Sequence, residues 1–215
     1  ERGAAAALDG DFDAAEQHFF AVLSTGRRLR DAAVSNNAGI ALFPVWRERG
    51  RLDSLVEPTR RVVEGPSALD SWRAGFAHML EQTGDPGGAA RMLDVVAADG
   101  FSHVRDDVAR PYTFCAAAEA AVGVADEPRC AQLYELLTPL AGTAAMIGTV
   151  AYHGAVDRYL GLLAVALDPT EAAAWELHAR LSYFMVWHSV DNSDARRDAM
   201  RRQAERARAL APASP

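Results

Sequence analysis

An all-α fold, built as a solenoid of about five to six stacked helix pairs, is predicted by three observations. Good helix formers fill nearly every segment, and alternating β-branched runs are absent. Helix breaks fall at Gly10-Asp11, Gly50-Arg51, Gly84-Asp85-Pro86, Asp126-Glu127-Pro128 and Asp168-Pro169, at intervals of 34 to 42 residues. Each break has the same sense: Gly or Asp stops one helix, and Asp, Pro or Thr starts the next.

Those breaks predict helices over residues 2–8, 12–25, 31–48, 52–64, 67–83, 87–98, 107–124, 127–140, 151–167, 170–188 and 193–210. The segments can be aligned on their turns. Five residues after each turn stand Ala15, Leu55, Ala89, Cys130 and Ala173; four further on stand Phe19, Thr59, Leu93, Tyr134 and Leu177. Seven before the turn stand Gly3, Phe43, Ala77, Ala118 and Gly161. Small residues there let two helices approach, and the bulky ones fill the space beside them. Phe43 and Thr59 depart from this pattern, so the second repeat is irregular. Two longer loops, 100–107 and 142–150, interrupt the series, and no composition shift divides residues 1–215 into more than one domain. Residues 191–215 read as a terminal capping helix and tail.

Composition narrows the function. All 22 basic residues are Arg, which excludes a P-loop lysine, a Schiff-base lysine and a lysine general base. The formal charge of −7 argues against direct nucleic-acid binding. No apolar run approaches the ~20 residues of a membrane span, and no secretory leader is visible. Cys115 and Cys130 would lie roughly 9 Å out of step on neighbouring helices, so buried thiols in a reducing cytoplasm are expected. The absence of Lys suggests a GC-rich bacterial genome, and the opening ERGAAAALDG, already helical in pattern, suggests a piece of a longer protein.

The turn-aligned register resembles that of tetratricopeptide (TPR) repeats, which implies a right-handed superhelix. A closer likeness lies in LYELLTPLAG followed by HGAVDRYLGLLAVAL. Leu133, Tyr134, Leu137, Pro139, Ala141, Gly142, Gly154, Arg158, Tyr159, Leu160, Gly161, Leu163 and Ala164 carry it. This resembles the helical-repeat region of large bacterial regulators, the LuxR-type ATP-dependent transcription activators and ATPase-linked nucleotidyl cyclases, over residues 30 to 180. The resemblance implies an interaction or sensor module, since the catalytic and DNA-binding parts of those regulators are separate.

No catalytic constellation emerges. GDPGG at 84–88 lacks the strand, Lys and Ser/Thr of a phosphate loop and reads as a turn. Asp9, Asp11 and Asp13 lack the later Glu of a calcium loop and read as helix caps. His18, His78, His103, His153, His178 and His188 show no metal-site spacing, and Ser102-His103 has no nucleophile-elbow context. No cofactor and no enzymatic activity are expected. Arg196, Arg197, Arg201, Arg202, Arg206 and Arg208 interleave with Asp194, Asp198 and Glu205, as on a solvated capping helix.

The concave face of such a solenoid is its natural binding surface. The register places Asn37, Arg47, Ser71, His78, Glu81, Tyr112, Glu119 and Arg158 on it as candidate contacts for a protein, a peptide or a small inducer. That partner could be another module of the same parent chain. A rival reading is a homo-oligomerisation domain, with Tyr183, Phe184 and Trp187 at the interface of a homodimer. A second rival, a helical enzyme, predicts a deep pocket with perturbed acid–base groups.

Overall fold

The computed structural model describes residues 2–65, 68–147, 151–170 and 194–210. The described residues are mostly helical. Among the described residues the α-helices are α1 (Arg2–Leu8), α2 (Phe12–Leu29), α3 (Ala32–Glu48), α4 (Asp53–Val63), α5 (Asp70–Gln82), α6 (Pro86–Val96), α7 (Arg110–Gly123), α8 (Glu127–Leu137), α9 (Val156–Leu167) and α10 (Asp194–Leu210). Two short strands, β1 (Ala144–Ile147) and β2 (Ala151–Ala155), lie between α8 and α9. The helix expected over 170–188, with its apolar residues Tyr183, Phe184 and Trp187, lies outside the described residues.

One turn design recurs. At the end of α5, Gly84 takes φ +83°, a conformation only glycine adopts without strain. The Gly84 N–H donates to the Glu81 carbonyl at 3.1 Å, and the Asp85 N–H donates to the Leu80 carbonyl at 2.8 Å. This pair of bonds closes the helix end as a Schellman motif. Asp85 then serves the next helix, its carboxylate accepting from the Gly88 N–H at 2.7 Å. Asp11, Asp31 and Asp126 do the same for α2, α3 and α8. A single Asp thus finishes one helix and starts another, which is why the breaks are so short. Asp11 and GDPGG are structural punctuation. The break before α4 is different, because Leu52 stands at its N-cap and supplies no side-chain bond.

Close helix approach follows the small residues. A Cβ at Gly3 would stand 2.7 Å from the Phe19 ring, so the expected small–bulky contact between α1 and α2 forms. Ala77, Ala89, Leu93 and Ala118 are fully buried. Helix α7 is the hub: it packs against α5, α6, α8, α9 and β1, and its Ala116, Ala117, Ala118, Ala120 and Ala121 are all at 0% exposure. Cys115 and Cys130 are free and buried, as the chain's spacing implies. By contrast, α3 packs closely on α2 but makes no comparable contact with α4 or α5.

The hairpin corrects the expectation of a loop over 142–150 followed by a helix from 151. Strands β1 and β2 pair antiparallel, with Ala145 opposite Gly154 and Met146 opposite Tyr152. His153 is therefore the extra residue of a β-bulge. Ala, Met and Gly are poor strand signals, and a lone hairpin is marginal. This one persists because β1 packs on α7 and β2 touches α3 and α9. The Gly142 N–H also donates to the Asp157 carboxylate at 2.8 Å, tying the hairpin's start to α9.

Removing one punctuation residue tests this reading. Asp85→Ala should lower the unfolding free energy by about 1 kcal/mol, the usual worth of an N-cap, in urea denaturation.

Candidate functional site

Helix α7 carries one carboxylate, Glu119, among its buried alanines, and a charge there needs partners. Three elements supply them. Arg158 at the start of α9 donates from Nη1 to Glu119 Oε1 at 3.1 Å. His78 of α5 places Nε2 3.3 Å from Oε2, and His153 of β2 places Nε2 3.4 Å from the same oxygen. The bulge is what turns His153 inward. Its ring stacks on Tyr159 at 5.4 Å and meets Tyr112 edge-on at 4.8 Å. Tyr159 donates its hydroxyl to the His153 carbonyl at 2.9 Å. Gly154 makes room for that phenol: its φ is +150°, and a Cβ would stand 3.1 Å from the Tyr159 oxygen.

The charges at this cluster are set by burial and by each other. Burial alone would raise the Glu119 carboxyl, but His78, Arg158 and His153 together hold it well below the usual carboxylate range. We take Arg158 as the principal counter-ion, because both imidazoles are pushed towards neutrality. Burial lowers His78 and His153 despite the pull of Glu119, and the positive charge of Arg47 lowers both further. Burial also pushes the Tyr112 and Tyr159 phenols up, so both remain protonated donors. His78 Nδ1 is buried with no hydrogen-bond partner among the described residues. No group of three His, Cys, Asp or Glu among the described residues is arranged to hold a metal ion.

Beside the cluster lies a half-open cleft with a cavity volume of about 280 Å³. Helices α3, α4 and α5 form its walls, and Tyr112 of α7 and Ile147 of β1 contribute to its lining. It opens where the turn-aligned sequence pattern is irregular. Phe43 and Thr59, the two residues that depart from the turn-aligned pattern, both line it. A bulky ring where the other turn-aligned segments have Gly or Ala keeps α3 from seating closely. Phe43 and Tyr112 border both features, Phe43 packing edge-on to His78 at 6.3 Å and Tyr112 to His153.

The eight candidate contacts separate into groups. Ser71 and Tyr112 line the cleft. His78, Glu119 and Arg158 form the cluster and are largely buried, because the hairpin brings His153 onto them. Arg47 is half-buried and acts on the cluster through its charge. Asn37 is exposed on α3 and joins neither feature. Glu81 lies against Gly123, where a Cβ would meet its side chain at 2.4 Å. The sequence does not single out His153, because its segment reads as the start of a helix and carries no strand signal, nor the cleft's apolar walls, because the turn-aligned register points to polar groove residues. The Phe43 and Thr59 anomalies were the available clue.

Other features fall to local roles. His103 sits with Nδ1 3.2 Å from the Ala98 carbonyl and Nε2 3.6 Å from Asp70. In α10, Arg197 pairs with Asp194 and Arg201 with Asp198 within the helix. No described helix is long and apolar enough to cross a membrane. Comparison with protein-family models, curated proteins and solved structures finds no match to this chain.

The buried histidines predict an acid-sensitive fold. Both rings bind a proton less readily folded than unfolded, so the unfolded chain takes up protons first as pH drops through the ordinary value of 6.5. Stability should be full above that pH and decline below it, by at most about 1.4 kcal/mol per pH unit for each histidine. Urea midpoints at a series of pH values between neutral and mildly acid check this. The double variant His78→Gln/His153→Gln should flatten the profile there.

Proposed function

We propose that this chain is a non-catalytic, TPR-like right-handed solenoid whose concave cleft binds a small apolar inducer. It would act as the sensor arm of a cytoplasmic bacterial signalling or transcription regulator. The observation that carries this reading is the cleft itself. An apolar cavity of about 150 Å³ suffices for benzene, so 280 Å³ suits a two-ring molecule. Its place between α3 and α5, the helices that stand apart, gives the ligand leverage. A molecule that bridges them stabilises one spacing over others and shifts the population of the solenoid towards it.

A helical enzyme is the second reading, favoured by the perturbed His78–Glu119–His153 cluster so near a cleft. A general acid or base must come within about 3 Å of the reacting atom. None of those three side chains lines the cleft. Their partners are one another, which favours a structural role.

Gly39 offers a direct test. It lines the cleft, and a Cβ there meets nothing within 4 Å. Gly39→Leu should therefore fill the cleft while keeping or raising stability, as replacing a mid-helix glycine does. The neutral fluorophore N-phenyl-1-naphthylamine should bind wild type saturably and the variant at least about tenfold more weakly. Equal binding by the two proteins would remove the cleft as the ligand site.

A further inference from the structure

We infer that the occupant of the cleft is a neutral, largely apolar molecule carrying one hydrogen-bond acceptor, a carbonyl or ether oxygen, engaged by the hydroxyl of Tyr112. This rests on the cleft being the binding site and specifies the chemistry it selects.

Two observations carry the inference. First, no charged side chain lines the cleft among the described residues. An ionised ligand would lose its hydration there with no counter-charge in return, so the ligand is neutral. Second, Tyr112 is only 6% exposed and lines the cleft, and no hydrogen bond to another described residue engages its hydroxyl. Where a mostly buried tyrosine opens its hydroxyl into an apolar cleft, an acceptor on the occupant is the natural partner for it. Tyr159, a few ångströms away across the same imidazole, has one in the His153 carbonyl.

The site is shaped around that hydroxyl. Tyr112 lines the cleft, and its oxygen lies where a Cβ on Gly75, another lining residue, would come within 2.3 Å. Gly75 is thus the gap through which the phenol reaches. The ring is held edge-on against His153, so the hydroxyl is fixed before a ligand arrives. Burial pushes the phenol's ionisation upward, so it remains a donor across the physiological range. The complementary group on the ligand is an acceptor.

A matched pair of ligands tests this. 2-Acetylnaphthalene and 2-isopropenylnaphthalene have nearly the same size and planarity, and differ by C=O against C=CH₂. Affinities for wild type and Tyr112→Phe would be measured by displacement of N-phenyl-1-naphthylamine. The substitution should weaken the ketone about five- to tenfold and leave the alkene unchanged, since one net hydrogen bond is lost. Because it removes no hydrogen bond to another described residue, Tyr112→Phe should melt close to wild type, so a weakened ketone would not reflect misfolding. Gly75→Ala, which displaces the phenol, should reproduce the selective loss. If both ligands bind wild type and Tyr112→Phe weakens neither or both equally, the acceptor assignment is overturned while the cleft stands. If neither binds wild type, the cleft reading fails and the inference falls with it.

Discussion

The structure depends on a buried carboxylate. Glu119 stands within an alanine run, Ala116 to Ala121, of a largely buried helix, and desolvating one charge costs several kcal/mol unless partners compensate. The compensation comes from α5, α9 and the hairpin at once, through His78, Arg158 and His153. Alanines allow the neighbouring helices to approach α7 closely enough for these contacts to form. Small side chains and the central charge are therefore two halves of one arrangement.

That arrangement explains an improbable hairpin. Its strands have little intrinsic preference for extended structure, and its register slips between Ala145 and Met146. A bulge ordinarily weakens pairing, but here it turns His153 towards Glu119 and Tyr159. Local sequence preference loses to tertiary packing at this point. The same competition explains why the sequence reads here as a loop leading into a helix.

Elsewhere the sequence is candid. The breaks before α2 and α6 are visible because each pairs a left-handed Gly with a capping Asp, and few residue types suit either position. Helix existence, the Gly3–Phe19 contact and the buried cysteines follow from local chemistry and period. Glu119, His78 and Arg158 also share a predicted face, because helical spacing places them there. What spacing cannot convey is depth: the same face holds exposed Asn37 and buried Tyr112. Depth depends on what covers a face, and the cover is the hairpin, an element with no sequence signal.

The cleft persists for a related reason. Apolar walls facing water would ordinarily close, since burying them is favourable. Closure would require α3 to settle onto α5, and two things oppose it. Phe43 is bulky where the other turn-aligned segments have Gly or Ala, and it already packs against His78. The hairpin also touches α3 through β2 and α7 through β1, so it acts as a spacer between them. Because Ile147 of β1 lines the cleft while His153 of β2 joins the Glu119 cluster, one hairpin fixes both the width of the cleft and the position of Tyr112. The ion cluster thus shapes the cleft without lining it: it holds open, at fixed spacing, the apolar space beside it.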